Sequence, residues 1–261
     1  MRELNIEQVK EIQLSILQKV ADFCDNNDVS YFLAAGTMLG AVRHKGYIPW
    51  DDDIDIIVPR PDFERLLKLF DVDNLSLGYP SLSSNYLYPF LKISDNRTYL
   101  KEEFTSEMNI GVHIDVFPLD GFPEEDKLID CHLKKLKSLR KPILFKAFKF
   151  GNSLSSYKKT VLSVAKFFTP INYYIKKTIK TAKLYDFESS KNAGIAVWGY
   201  GKREICPRSV FDDSVIITFE KRRFKAPIGY KQYLENLYGD YMQLPSKNER
   251  KPKHSFKAFY K

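Results

Sequence analysis

Four aspartates fall within five residues of "IPWDDDIDIIVP" (48–59), at Asp51, Asp52, Asp53 and Asp55, and an apolar run follows at once. Side chains of a strand alternate faces, which predicts Asp51, Asp53 and Asp55 on one face and Asp52 on the other. Carboxylates so close repel one another, and at neutral pH they do not all stay ionised unaided. A divalent cation resolves the conflict. Hard oxygen ligands suit Mg2+ or Mn2+, and Mg2+ commonly takes one or two carboxylates together with substrate phosphates. A solvated acidic turn is the plain alternative. A calcium loop of the EF-hand kind is excluded, because its glycine and glutamate positions, counted from Asp51, hold Ile56 and Asp62.

A second acid lies in "GVHIDVFPLDG", where Asp115 stands between Ile114 and Val116. A lone strand aspartate is expensive to bury without a partner. If its strand pairs beside "DIDII", Asp115 completes the cluster as third ligand or as general base. Asp120 follows Pro118 and reads as a turn residue. Upstream, "AAGTMLGAVRHKG" sets Gly36-Thr37 at a strand-to-helix junction, fourteen residues before Asp51. Free N–H groups of a helix start, the helix dipole and the Thr37 hydroxyl suit a phosphate there. Arg43, His44 and Lys45 close that helix with three potential cations, either for phosphate or as favourable helix-end charge.

The elements that must position these residues follow from periodicity. Ile6 to Cys24 has helical apolar spacing, Tyr31 to Gly36 reads as a strand, and a helix opens at Thr37 and closes near Gly46. "DIDIIVP" is a predicted strand and "RPDFERLLKLF" a helix with Pro61 in its first turn. Tyr86 to Ser94 and Arg97 to Glu103 look like two strands joined by the turn "SDNR". The Asp115 strand should stop at Pro118. "EEDKLIDCHLKKLKSLRK" is helical, and helix continues from Lys141 to Lys183 with breaks near Gly151 and Pro170. "SVIITFE" reads as a strand, "KRRFKAPIGY" as a turn, and "YKQYLENLYGDYMQL" as a last helix ending near Pro245.

With 261 residues, 44% hydrophobic and 28% charged, the chain has the composition of an ordinary globular protein with a sizeable core. No apolar run of about 18 residues is present, and the N-terminus lacks the features of a signal peptide. Cys24, Cys131 and Cys206 are too few and too scattered for a disulfide framework, and each reads as a small core residue. These features point to the cytoplasm. The net charge of +8 is uneven: Lys134 to Lys183 holds fourteen Lys and Arg and no acid, which leaves the remainder at −6. Such a block suits a polyanion, a solvated helical surface being the plain reading. Its aliphatic and aromatic interleaving favours an anionic membrane face, with peripheral attachment, over nucleic acid.

The segment "FLAAGTMLGAVRHKGYIPWDDDIDI", with "HIDVFPLDG" downstream, resembles the LicD family, and so do "YGDYMQLP", Arg250 and "HSFKAFY" near the C-terminus. The resemblance covers both ends and is weakest between about 130 and 190. "FEK" at 219–221 stands where the family pattern has a glycine third. The resemblance implies an α+β, nucleotidyltransferase-like mixed sheet flanked by helices, as a catalytic core over 1–125. A basic helical insertion over 126–190 and a C-terminal segment over 191–261 complete it. It further implies Asp53 and Asp55 as Mg2+ or Mn2+ ligands, Asp115 as third carboxylate and Asp51 as a supporting ligand. Gly36 and Thr37 would hold phosphate, and Arg250 and His254 would close the site. The implied reaction is transfer of phosphocholine, or a related phospho-substituent, from a CDP-linked donor to a sugar hydroxyl of a cell-surface glycan precursor, releasing CMP. The glycan would be assembled on a lipid carrier at the inner membrane face. A choline passenger calls for an aromatic box, for which Tyr47, Trp50, Trp198 and Tyr200 are candidates. Two other readings stay open: a DxD glycosyltransferase using a nucleotide sugar, and a nucleic-acid-directed nucleotidyltransferase.

Overall fold

The computed structural model describes residues 1–82, 86–102, 110–147, 149, 155–251 and 256–261. In chain order these form β1 (Arg2–Leu4), α1 (Ile6–Asn26), β2 (Phe32–Leu33), α2 (Ala35–Arg43), β3 (Asp55–Pro59), α3 (Arg60–Leu69) and β4 (Leu75–Gly78). Next come β5 (Leu91–Asp95), β6 (Thr98–Glu102), β7 (His113–Phe122), α4 (Asp126–Ala147), α5 (Ser156–Phe168) and α6 (Ile171–Ala182). The last are β8 (Asn192–Gly194), β9 (Cys206–Pro207), β10 (Ser214–Phe219), β11 (Arg222–Pro227), α7 (Tyr230–Tyr238) and β12 (Phe256–Tyr260). The fold is α+β, as expected.

The central sheet is mixed, in the order β2-β3-β7-β5-β4, with β8 and β9 attached beyond β7. Its middle pair, β3 and β7, is parallel. The core beneath it is continuous. Val9, Ile16, Leu17 and Val20 recur along one face of α1 and are buried with Ile56, Val58, Ile114 and Val116 of the sheet. Asn5 caps α1 reciprocally with Gln8, so the helix starts at a defined residue.

Several expectations need correction. The strand carrying Asp115 runs through Pro118 to Phe122. Pro118 falls in the gap between β5, which pairs with residues 113–116, and β8, which pairs with 120–122, where a missing N–H is tolerated. Asp120 is therefore a buried strand residue, and both its oxygens accept from Arg60, at 2.7 and 2.9 Å. The two strands around "SDNR" do not pair with each other: β5 joins the central sheet and β6 pairs with β12. At the turn between them Asp95 accepts from the Arg97 backbone and side chain, while Thr98 donates to its carbonyl. "KRRFKAP" is a strand, β11, paired with β10, and the final helix ends at Tyr238. At that hairpin's tip Glu220 and Lys221 have φ of 48° and 61°, the left-handed region where glycine is favoured. Cys24 and Cys206 are buried, but Cys131 is exposed on α4. Short strands β1, β4, β8, β9 and β12 carry too little alternation to be read from sequence.

The Arg60–Asp120 pair is a buried ion pair whose single loss strands a charge. Asp120→Ala should lower the unfolding free energy by about 3–5 kcal/mol, and Arg60→Met with Asp120→Leu should recover most of that. Urea unfolding checks both. A loss well under about 1 kcal/mol in the single variant would show that the pair is dispensable.

Candidate active site

Parallel pairing sets Asp55 of β3 in register with Asp115 of β7. Adjacent strands lie about 4.8 Å apart, so the two carboxylates project side by side. With Asp53 they line a cavity of about 400 Å3 whose other walls include Ala35, Phe117, Arg140, Trp198 and Glu204. Burial, then the charges of Asp53, Asp115 and Asp51, push the Asp55 carboxyl well above the usual carboxylate range, and Lys92 acts in the opposite sense. Lys92 sits in register with Asp115 on β5, donates to it at 2.7 Å and lies 2.8 Å from His113 Nε2. Its ammonium is buried over the rings of Tyr88 and Phe90.

A second cavity, of about 540 Å3, is lined by Gly36, Arg43, Trp50, Asp51 and Tyr238 among others. A Cβ on Gly36 would stand 2.5 Å from Asp51 Oδ2, so only glycine lets that carboxylate approach the helix start. Ala35, the first residue of α2, has φ of 42° and donates its N–H to the Tyr233 hydroxyl. Thr37 is buried, and its hydroxyl oxygen accepts the Asp55 N–H at 2.8 Å. It thereby ties α2 to the strand of the aspartates. Arg43 donates to the carbonyls of Tyr241 and Gln243. Arg250 bonds the Pro245 carbonyl and places its guanidinium over Trp50, which His44 meets edge-on. Burial and the Arg43 charge hold the His44 imidazole below its ordinary value. Lys45 is exposed in a turn and lines neither cavity. His254 lies outside the described residues.

The alternation expected for the aspartates holds only from Asp55 onward, where the strand begins. Residues 51–54 precede it, and one oxygen each of Asp51, Asp52 and Asp53 lies within 4.8 Å of the others. Asp52 is the buried member. The donor set is all carboxylate oxygen, and Asp55 is poorly compensated without a cation, so the residues fit Mg2+ or Mn2+. Trp198 and Tyr200 stand in the first cavity and Trp50 in the second. The Tyr47 hydroxyl is engaged with Lys10 and Gln13 instead.

Four residues escaped sequence reasoning. Gln13 is buried on α1 and donates to the carbonyls of Asp52 and His113, holding the approaches to β3 and β7 together. Lys92 was one lysine among many. Arg140 and Glu204 reach the first cavity from segments with no motif. Glu204 accepts the Tyr200 N–H at 2.6 Å, and burial raises its carboxyl from the ordinary 4.5 to about 7.

Residues 28–146 match the family described as LicD/FKTN/FKRP, nucleotidyltransferase domain, which puts the paired aspartate strands and the α2 start inside a nucleotidyltransferase domain. Over that span the chain is similar to the LicD family. It is 28% identical over 270 residues to the lipopolysaccharide cholinephosphotransferase LicD of Haemophilus influenzae, covering 99% of both chains. An uncharacterised Rickettsia typhi protein is 34% identical over 131 residues, 48% of this chain and 40% of that one. One from Rickettsia prowazekii is 29% identical over 133 residues, 46% of this chain and 47% of its own.

Two variants probe the site's electrostatics. Asp55→Asn removes a poorly compensated carboxylate and should raise the stability of the metal-free protein at neutral pH. The same variant should lose the Mg2+-induced rise in melting temperature, and a wild-type rise would remove Asp55 from the ligand set. Glu204 binds its proton more tightly folded than unfolded. Its contribution is complete below about pH 4.5 and is lost as pH rises through about 7. Relative to Glu204→Gln, the wild type should lose on the order of 3 kcal/mol between pH 4.5 and 8. A pH-independent difference in urea unfolding would contradict the raised value.

Proposed function

We propose that this LicD-type enzyme moves phosphocholine, or a related phospho-substituent, from a CDP-linked donor to a sugar hydroxyl of a glycan precursor, releasing CMP. The observation that carries the reading is the in-register Asp55–Asp115 pair, with Asp53, in a cavity beside the Gly36–Asp51 helix start. The family and the similarity to a cholinephosphotransferase along its whole length support it.

Asp53, Asp55 and Asp115, with Asp51 in support, would hold Mg2+ or Mn2+, which when bound supplies Lewis-acid neutralisation of the donor pyrophosphate. Arg43, Arg250 and the Gly36 helix start add positive potential at the second cavity, and Arg140 adds it at the first. The acceptor hydroxyl attacks the phosphorus bearing the choline. A P–O bond to the sugar forms as the P–O bond to CMP breaks, and the hydroxyl proton passes to a carboxylate of the cavity. Asp115 already accepts from Lys92, whereas Glu204, poised near neutrality, is suited to receive a proton. Positioning and electrostatics supply most of the rate. The protein would work in the cytoplasm, peripheral on the inner face of the membrane, where lipid-linked glycans are built. The acid-free basic stretch supports that placement, and among the described residues no helix is long and apolar enough to cross a membrane.

CMP release with Mg2+ should occur from one of CDP-choline, CDP-ethanolamine, CDP-glycerol or CDP-ribitol in the presence of glycan acceptor. Asp53→Asn should lower the rate by roughly a thousandfold. A response to UDP-sugars with silence from every CDP donor would replace this reading with the glycosyltransferase one.

A further inference from the structure

Helix α5 exposes Tyr157, Val161, Val164 and Phe168 at 78%, 49%, 52% and 75% of their surfaces. Their spacing of four, three and four residues puts them on one stripe. Phe167, 78% exposed, widens it at the C-terminal end. A helix of 13 residues with an uncovered apolar face is not a core helix. Its surroundings are cationic: Lys158 on α5 and Lys176, Lys177 and Lys180 on α6 are exposed, in a stretch from 134 to 183 without one acid. A symmetric contact with a second copy would bring these lysines against each other. An anionic bilayer surface satisfies both features, taking the apolar stripe among its acyl chains and the ammonium groups among its headgroups.

The stripe also has a fixed relation to the catalytic cavity. Arg140 and Leu144 of α4 line that cavity, and Lys146, two residues on, donates to the Lys166 carbonyl at 2.6 Å. The Phe167–Phe168 end of α5 is thus fastened to the turn of α4 that follows the cavity wall. We propose that α5 lies in the surface of an anionic membrane and sets the mouth of the catalytic cavity there, within reach of an acceptor carried on lipid. This takes up the peripheral placement proposed above and does not depend on which group is transferred.

The test is flotation of the full-length protein with vesicles of phosphatidylcholine alone and of an equal mixture with phosphatidylglycerol. At low ionic strength the mixture should bind at least about tenfold more protein, and salt should weaken it. A variant with Tyr157→Ser, Val164→Ser and Phe168→Ser, all surface positions, should lose about tenfold in binding while releasing CMP at the wild-type rate with a water-soluble acceptor. Equal binding to both vesicles, or undiminished binding by the variant, would overturn the proposal. So would a concentration-dependent dimer in sedimentation that the variant abolishes, since the stripe would then belong to a second copy. Loss of membrane binding with CMP release intact speaks for the membrane surface whatever the donor, and absence of CMP release in both proteins speaks only against the transfer reaction.

Discussion

Parallel pairing of β3 with β7 forces two aspartates into adjacent positions and draws a third beside them. At about 5 Å and an effective dielectric of about 20, each pair of like charges repels by roughly 3 kcal/mol. The strands hold because Ile56, Ile57, Val58, Ile114 and Val116 are fully buried, and burial of each such side chain contributes about 1.5–3 kcal/mol. Hydrophobic packing therefore outweighs the repulsion. Local polar contacts then set its geometry: Thr37 receives the Asp55 N–H, Gln13 spans the two strand approaches, and Lys92 faces Asp115. One lysine offsets only part of the charge, which leaves an acidic cavity suited to a cation.

The C-terminal quarter closes the arrangement from outside the central sheet. Tyr233 on α7 reaches the strained first residue of α2, and Arg43 gathers the carbonyls of Tyr241 and Gln243. Arg250 stacks on Trp50, the residue before the aspartates, and β12 lies between β1 and β6. A segment that by composition reads as an exposed tail thus forms one wall of the second cavity. Both cavities mix charge and aromatic rings: Asp53, Asp55, Asp115 and Arg140 with Trp198 and Tyr200 in the first, Asp51 and Arg43 with Trp50 and Tyr238 in the second.

The basic helices are tied into the same arrangement. Helix α4 carries Arg140 to the cavity, its guanidinium over the Trp198 ring, and its buried Ile129, Leu136 and Ile143 face inward. Its lysines are the outer face of a helix whose inner face helps build the site.

Much was legible in the sequence because it is encoded in short range. The aspartate cluster, the helix start at Gly36-Thr37 and the lone acid at Asp115 are local patterns, and the α+β class came from the family resemblance that those same segments carry. Lys92, Gln13, Arg140 and Glu204 were not legible, since nothing within a few residues of each marks it. Asp120 was misread because a proline normally ends a strand, and only the gap between two partner strands makes Pro118 tolerable. The divergence of β5 and β6 was hidden for a similar reason, since their partners, β4 and β7 for the one and β12 for the other, are distant in sequence. Residue types and their spacing by themselves singled out the carboxylates of 51–55 and Asp115 and the Gly36-Thr37 helix start as candidates for chemistry. The tertiary structure alone decided which side chains meet them, because long-range strand register, unlike periodicity, is set by the packing of the whole core.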